Sequence, residues 1–329
     1  MSEPLIRVSG LKKYFNTPSG FLHAVEDVSF SLDPQKTLGV VGESGCGKST
    51  LGRAILRLQE PTAGEVWFEG ENILSYDAAR LKQLRCRMQI IFQDPFASLN
   101  PRMSVFETIA EPLLIQGVFS KKDRTGLTRA VREMMDQVGL AERLINSYPH
   151  ELDGGRRQRI GVARALVLNP RFLVCDEPVS ALDVSIQAQI LNLMQELQQQ
   201  LGLTYLFITH DLSVVKHISD DIMVMYLGQV VEKAPAERIF ENPLHPYTQA
   251  LLSAIPIPDP DYKQERVLLK GEVTSPINPE PGCRFAKRCP QVTTACLKAN
   301  LPLIEVEDNH YVACTLFGSA GAQHHAVRG

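Results

Sequence analysis

The chain has 329 residues, 44% hydrophobic, 22% charged and 7% aromatic, with 22 Gly and 21 Pro, which excludes collagen-like, fibrous and disordered classes. Its net charge of −3, from 34 basic and 37 acidic residues, speaks against binding nucleic acid by bulk charge. No apolar stretch approaches the roughly 18–20 residues that cross a bilayer, and no apolar run follows the start, so neither an anchor nor a leader is expected. Seven Cys without a leader argue for reduced thiols or a metal centre rather than a secreted disulfide framework.

LIRVSGL (5–11) and AVEDVSFSL (24–32) alternate apolar and polar residues and read as strands, with NTPSG (16–20) as a turn in between. LGVV (38–41) predicts a short buried strand, followed by a Gly-rich loop and the amphipathic stretch STLGRAILRL. VWFEGENI (66–73) reads as one strand. Val131, Met134, Met135 and Val138 recur at helical spacing and predict a helix that stops at Gly139. FLVC (172–175) is a second buried strand. Residues 186–201 place Ile190, Leu193, Met194, Leu197 and Leu201 on one helical face, with Gly202 past the end. TYLFI (204–208) and DIMVMYL (221–227) are further strands. This alternation predicts an α/β fold with a mostly parallel sheet and crossover helices. From about 255 the chain turns Pro-rich (IPIPDPDY, SPINPEPG, KRCP) and holds four of the seven Cys, which reads as a small separate region.

The most informative stretch is Gly42, Glu43, Ser44, Gly45, Cys46, Gly47, Lys48, Ser49 and Thr50. It fits G-x-x-x-x-G-K-[ST], after an apolar strand and before a helix, as a phosphate-binding loop requires. Glycines let backbone N–H groups curl around phosphate oxygens, and the helix N-terminus adds partial positive charge. Lys48 would reach the β- and γ-phosphates, and the Ser49 hydroxyl would ligate Mg²⁺. Asp176 ends the buried strand FLVC, where a Mg²⁺-coordinating carboxylate is expected. Glu177 beside it would polarise an attacking water.

Further residues stand in a telling order. Phe15 follows Tyr14, between the first strand and the NTPSG turn. Gln93 ends MQIIFQ, Asp183 lies in SALD, and His210 follows TYLFIT. Together with the loop, this order over about 240 residues resembles the ATP-binding-cassette (ABC) ATPases. The resemblance implies a P-loop NTPase with a RecA-like core, an antiparallel β subdomain and a helical subdomain at about 96–165, within an ATPase domain of 5–255. It implies that Phe15 stacks on adenine, that Gln93 is the Q-loop residue and a Mg²⁺ ligand with Ser49 and Asp176, and that Asp183 is the D-loop residue. Glu177 and His210 would position the water. The cofactors implied are ATP and Mg²⁺, with two cassettes closing head to tail around two ATP.

One motif departs from the family. Where its signature reads LSGGQ, this chain has Leu152, Asp153, Gly154, Gly155 and Arg156. An ionised Asp153 would accept hydrogen bonds only and would repel a γ-phosphate on the partner cassette. Two readings follow: Arg156 compensates, or the composite site made by this signature is impaired.

NPLHPYTQALLSAIP (242–256) and TSPINPEPGCRFAKRCP (274–290) resemble the C-terminal extension (256–329) of ATPase subunits of dipeptide and oligopeptide importers, of the second, F-type kind. Nickel, glutathione and antimicrobial-peptide systems share that extension. The implied partners are a paralogous ATPase subunit in a heterodimer, two transmembrane permease subunits and a peptide-binding protein, with no nucleic acid. The implied location is the cytoplasmic face of the inner membrane. Cys283, Cys289, Cys296 and Cys314, spaced C-x5-C-x6-C-x17-C, are read as ligands of a [4Fe–4S] cluster. Zinc and unligated or disulfide-paired thiols remain as alternatives, although the usual zinc C-x2-4-C pairs are missing.

Overall fold

Short apolar runs make the strands here, and Asp, Ser or Gly N-caps open most of the helices. A computed structural model describes residues 3–120, 122–255, 267, 269, 271, 275–298 and 300–318. In chain order the strands are β1 (Ile6–Thr17), β2 (Gly20–Leu32), β3 (Thr37–Val41), β4 (Ala63–Phe68), β5 (Glu71–Asn72), β6 (Met88–Ile91), β7 (Phe172–Asp176), β8 (Thr204–Thr209), β9 (Asp221–Tyr226), β10 (Gln229–Pro235), β11 (Ile304–Glu307) and β12 (His310–Val312). The helices are α1 (Lys48–Ile55), α2 (Ala78–Arg87), α3 (Pro95–Ser98), α4 (Val105–Gln116), α5 (Arg124–Gln137), α6 (Gly154–Leu166), α7 (Val184–Leu201), α8 (Leu212–Ile218), α9 (Ala236–Glu241) and α10 (Pro246–Ser253). They fall into two compact units.

The first unit comprises Met1–Ile6, Ser31–Thr37 and Trp67–Ile208. Its centre is the parallel set β6-β7-β8, in register Ile91↔Cys175↔Phe207. Phe172, Leu173, Val174 and Cys175 are all buried, as expected of a parallel strand covered on both faces. Around it, α3, α4, α5 and α6 pack on one another. Ser104 and Glu107 form a reciprocal capping box at the start of α4, and Gly117 ends it in the left-handed region. The 128–138 periodicity is realised as α5, and Gly139 follows at φ 68°. The 186–201 periodicity is realised as α7, closed by left-handed Gly202.

VWFEGENI is not one strand. It folds as the hairpin β4–β5, with Phe68 paired to Glu71 across a two-residue turn. Glu69 and Gly70 both have positive φ, 51° and 79°, the conformation of a tight primed turn. The Glu–Gly pair breaks the strand that its apolar neighbours suggest.

The second unit comprises Arg7–Phe30, Leu38–Val66 and Thr209–Gly329. Here β1 lies between β2 and β4. Separately, β3 runs parallel to β9, which pairs antiparallel with β10. The described residues of the C-terminal quarter pack into this unit. Strand β12 pairs with β10 (Glu232↔Val312), and β11 adds on beyond it. Residues 276–278 attach to β2 through a Leu22↔Ile277 bridge, His23 N–H to Pro276 C=O at 2.9 Å and Asn278 N–H to Phe21 C=O at 2.9 Å. Phe285 is buried against Tyr226 and Tyr247, ring centroids 5.2 and 5.4 Å away. Residues 256–262 of the Pro-rich stretch lie outside the described residues.

Candidate active site

The phosphate loop belongs to the second unit. Strand β3 delivers it and α1 receives it, with Gly47 as N-cap at φ 105°. Gly47 is needed on two counts: its φ is left-handed, and a Cβ there would lie 2.0 Å from the Ala24 carbonyl oxygen. At Gly45 (φ 78°) a Cβ would meet nothing within 4 Å, so the loop is open on that side. Lys48 is 4% exposed. Its Nζ donates to the carbonyls of Gly42 (2.8 Å) and Glu43 (3.0 Å), which folds the ammonium back into the loop. The Glu43 N–H donates to Tyr247 Oη at 2.9 Å. Burial raises the pKa of the Cys46 thiol, so the thiol stays neutral beside Lys48.

In the same unit Phe15 sits half-buried in β1 with the Lys13 ammonium 4.9 Å above its ring. Tyr14 stacks on His23 at 4.0 Å and donates to Glu26 at 2.8 Å. His210 follows β8 directly and is exposed.

The carboxylates belong to the first unit. Asp176 is the last residue of β7 and is 1% exposed; Glu177 follows at 8%. Glu177 has φ 47°, an uncommon value for a non-glycine residue and a cost the surrounding fold must cover. Its N–H donates to Ile208 C=O at 2.9 Å, which fixes it on the neighbouring strand end. Gln93 Nε2 donates to Glu177 Oε2 at 2.8 Å. The structure thus brings the expected Q-loop glutamine and the expected catalytic carboxylate into direct contact. Asp183 is exposed at the N-cap position of α7, with no capping hydrogen bond from its side chain.

At the signature, Asp153 caps α6. Its Oδ1 accepts from the Arg156 N–H at 2.8 Å, and its Oδ2 lies 3.4 Å from Arg156 Nη1. The two residues that depart from the family pattern therefore pair with each other. Close packing, not φ, limits Gly155 and to a lesser degree Gly154. A Cβ on them would come within 2.8 Å of Ile186 and 3.1 Å of Leu182, respectively.

Mg²⁺ takes hard oxygen ligands. The Ser49 hydroxyl, in the first turn of α1, and the buried Asp176 carboxylate, at the end of β7, have that chemistry. The four C-terminal thiols are a different matter. They are near enough for their charges to act on one another. Yet among the described residues no group of three or more His, Cys, Asp or Glu is arranged to hold a metal ion. The expected cluster is not supported by the fold as it stands. Burial raises the thiol pKa of Cys283, to about 11, and also those of Cys289 and Cys314. At Cys296 desolvation is outweighed by hydrogen bonds with Thr293 and Thr315, and the thiol is lowered.

Comparison with known proteins settles the family. Residues 25–180 match the ABC transporter model, and residues 231–296 match the C-terminal region of oligopeptide/dipeptide transporters. The chain is 50% identical over 317 residues to the dipeptide transport ATP-binding protein DppF of Haemophilus influenzae, covering 94% of this chain and 96% of that one. The chain belongs to the ABC transporter family. It is 49% identical over 325 residues to the oligopeptide transport ATP-binding protein AppF of Bacillus subtilis, covering 96% and 98%. Among solved structures, the dimeric ATP-binding cassette MJ0796 in a post-hydrolysis state with ADP and Pi matches with a TM-score of 0.64 at 27% identity. That match covers 70% of this chain and 98% of the cassette. Among the described residues no helix is long and apolar enough to cross a membrane.

Sequence reasoning did not single out Tyr247, Glu26, Arg284 or Arg288, which touch the loop or the strands beside it. The only local signal was CRFAKRC, where two Arg four residues apart flank an aromatic; its Cys drew the metal reading instead.

Proposed function

We propose that this ABC family member is the ATP-hydrolysing subunit of a peptide importer, peripheral at the cytoplasmic face of the inner membrane. The observation that carries the ATPase part is the loop Gly42–Thr50, open at Gly45, with Lys48 folded into it and β3 and α1 on either side. The relatives' names and the 231–296 match support peptides as substrate. Its partners would be two permease subunits, a paralogous ATPase subunit and a peptide-binding protein.

In this reading the loop N–H groups and Lys48 bind the phosphates, and Phe15 stacks on adenine. Ser49, Gln93 and Asp176 would hold Mg²⁺, which neutralises developing phosphate charge when bound. Glu177 accepts the proton of the attacking water, and His210 orients that water. The Gln93–Glu177 hydrogen bond supports a coupling role for Gln93: a shift of the Q-loop would release or re-aim the catalytic carboxylate. Asp183 belongs to the facing surface of the ATPase dimer.

An iron–sulfur cluster on Cys283, Cys289, Cys296 and Cys314 has one support, their spacing in the sequence. One experiment tests these readings: purify the intact complex anaerobically, then measure peptide-stimulated ATP turnover and iron and sulfide content. Stimulation by short peptides is expected, with Lys48→Ala and Glu177→Gln each lowering turnover by about 100-fold or more. Turnover indifferent to peptides would overturn the substrate class. A well-folded sample free of iron and sulfide would remove the cluster.

A further inference from the structure

The segment between Cys283 and Cys289 points two arginines, four residues apart, at the unit that carries the phosphate loop. Arg288 is 10% exposed in its side chain. Its Nη1 donates to Glu43 Oε2 at 2.7 Å and its Nη2 to Glu43 Oε1 at 3.1 Å. This is the two-point fork that only a guanidinium makes with a carboxylate. Arg284, 6% exposed in its side chain, donates to Glu26 Oε2 at 3.1 Å and to the backbone carbonyl of Leu227. Phe285, packed against both Tyr226 and Tyr247, anchors the segment.

Glu43 is the first residue after Gly42 in the phosphate loop, and it is tied down on three sides. Its N–H bonds Tyr247, its carbonyl accepts from Lys48, and its carboxylate is gripped by Arg288. A carboxylate in a loop built for a triphosphate is a liability, because like charges repel across a short distance in a partly desolvated site. Arg288 cancels that charge and fixes the side chain. Its cation comes from a residue 245 positions along the chain.

We propose that Arg288 is a positioning residue of the nucleotide site: by neutralising and fixing Glu43 it sets the affinity of the loop for polyphosphate. This rests on the reading of Gly42–Thr50 as the ATP loop. The role is electrostatic, so its effect scales with the number of phosphates on the ligand. A purely structural role would weaken every ligand alike.

The test titrates full-length chain with fluorescent mant-ATP, mant-ADP and mant-AMP. Arg288→Gln should weaken ATP binding on the order of tenfold, ADP less and AMP least, with the difference shrinking as salt rises. Arg288→Lys keeps the charge but not the fork and should recover most of the ATP affinity. Lys287→Gln, next door and exposed, should bind like wild type. Unchanged ATP affinity in Arg288→Gln, or an equal loss for all three ligands, overturns the proposal. If Arg288→Gln does not fold, Arg288→Lys decides. ATP binding within about threefold of wild type, with AMP binding unmoved, supports the proposal; an equal loss for ATP and AMP overturns it. Failure of wild type to bind mant-ATP, or binding by Lys48→Ala as tight as wild type, would instead sink the reading of the loop itself.

Discussion

Asp153 and Arg156 look like two faults in a signature loop, but the fold makes them one unit. The Asp153 carboxylate has two oxygens, and Arg156 meets both, one through its backbone N–H and one through its guanidinium. As an N-cap, Asp serves a helix as well as Ser does. The pair is exposed, 59% and 47%, so it adds little to stability. What the contact does is place a positive charge beside Asp153, where the LSGGQ signature has a neutral serine. This favours compensation over impairment, and it separates the two single changes. Arg156→Gln alone leaves Asp153 negative and should lower the ATPase rate of the assembled complex several-fold. Adding Asp153→Ser should bring the rate back. Equal rates for wild type, single and double variants would show that charge at this position does not matter. The sequence displayed both departures, but not that they touch; a capping geometry three residues apart decides that.

Element boundaries were legible wherever one residue does one physical job. Gly139 and Gly202 end α5 and α7 in the left-handed region, as their places after apolar periodicities imply. The buried strands β3, β7 and β8 and the loop between β3 and α1 were legible for the same reason: the signal is local. Where partners are distant it failed. Helix α10 is an example. Its N-cap is His245, 1% exposed, whose Nδ1 accepts from Tyr247 N–H at 3.0 Å while its backbone N–H donates to Glu232 Oε2. No local pattern shows that the capping group must be an unprotonated imidazole. Burial lowers the His245 pKa to about 4, with Glu232 opposing the shift. An unfolded chain takes up this proton near the ordinary value of about 6.5, while the folded chain resists to about 4. The unfolded state therefore binds more protons between these values, and stability falls as pH drops through that window. The contribution, complete above about pH 6.5, is on the order of 3 kcal/mol. Urea unfolding at pH 7.5 and pH 5 should show about 2 kcal/mol of this loss, the remainder following only as pH falls through about 4. His245→Asn, which keeps a capping oxygen, should flatten the profile. An equally steep profile in that variant would assign the loss to other groups.

The C-terminal quarter is the largest difference between the chain as read and the chain as folded. Its Pro and Cys content suggested an appendage from about 256. In the fold, its described residues complete the unit that carries the phosphate loop. Strand β12 covers the edge of β10, Phe285 covers Tyr226 and Tyr247, and His310 Nε2 lies 2.7 Å from Glu232 Oε1. Glu232 and His310 are both 0% exposed. A buried carboxylate is tolerated only while its hydrogen bonds are complete. Glu232 also accepts from the N–H groups of Leu244 (2.7 Å) and His245 (2.9 Å), so it ties α10 and β12 to one point. A chain ending at Ile255 would keep every ATPase motif yet expose an aromatic cluster, open a strand edge and leave Glu232 without His310. It should express mainly as aggregate, and any soluble fraction should melt well below the full chain. His310→Ala in the full chain isolates the polar part and should cost roughly 1.5–3 kcal/mol, the value of a hydrogen bond to a charged group. A truncated chain that melts and binds mant-ATP like the full chain would show instead that the extension is dispensable to the unit it joins.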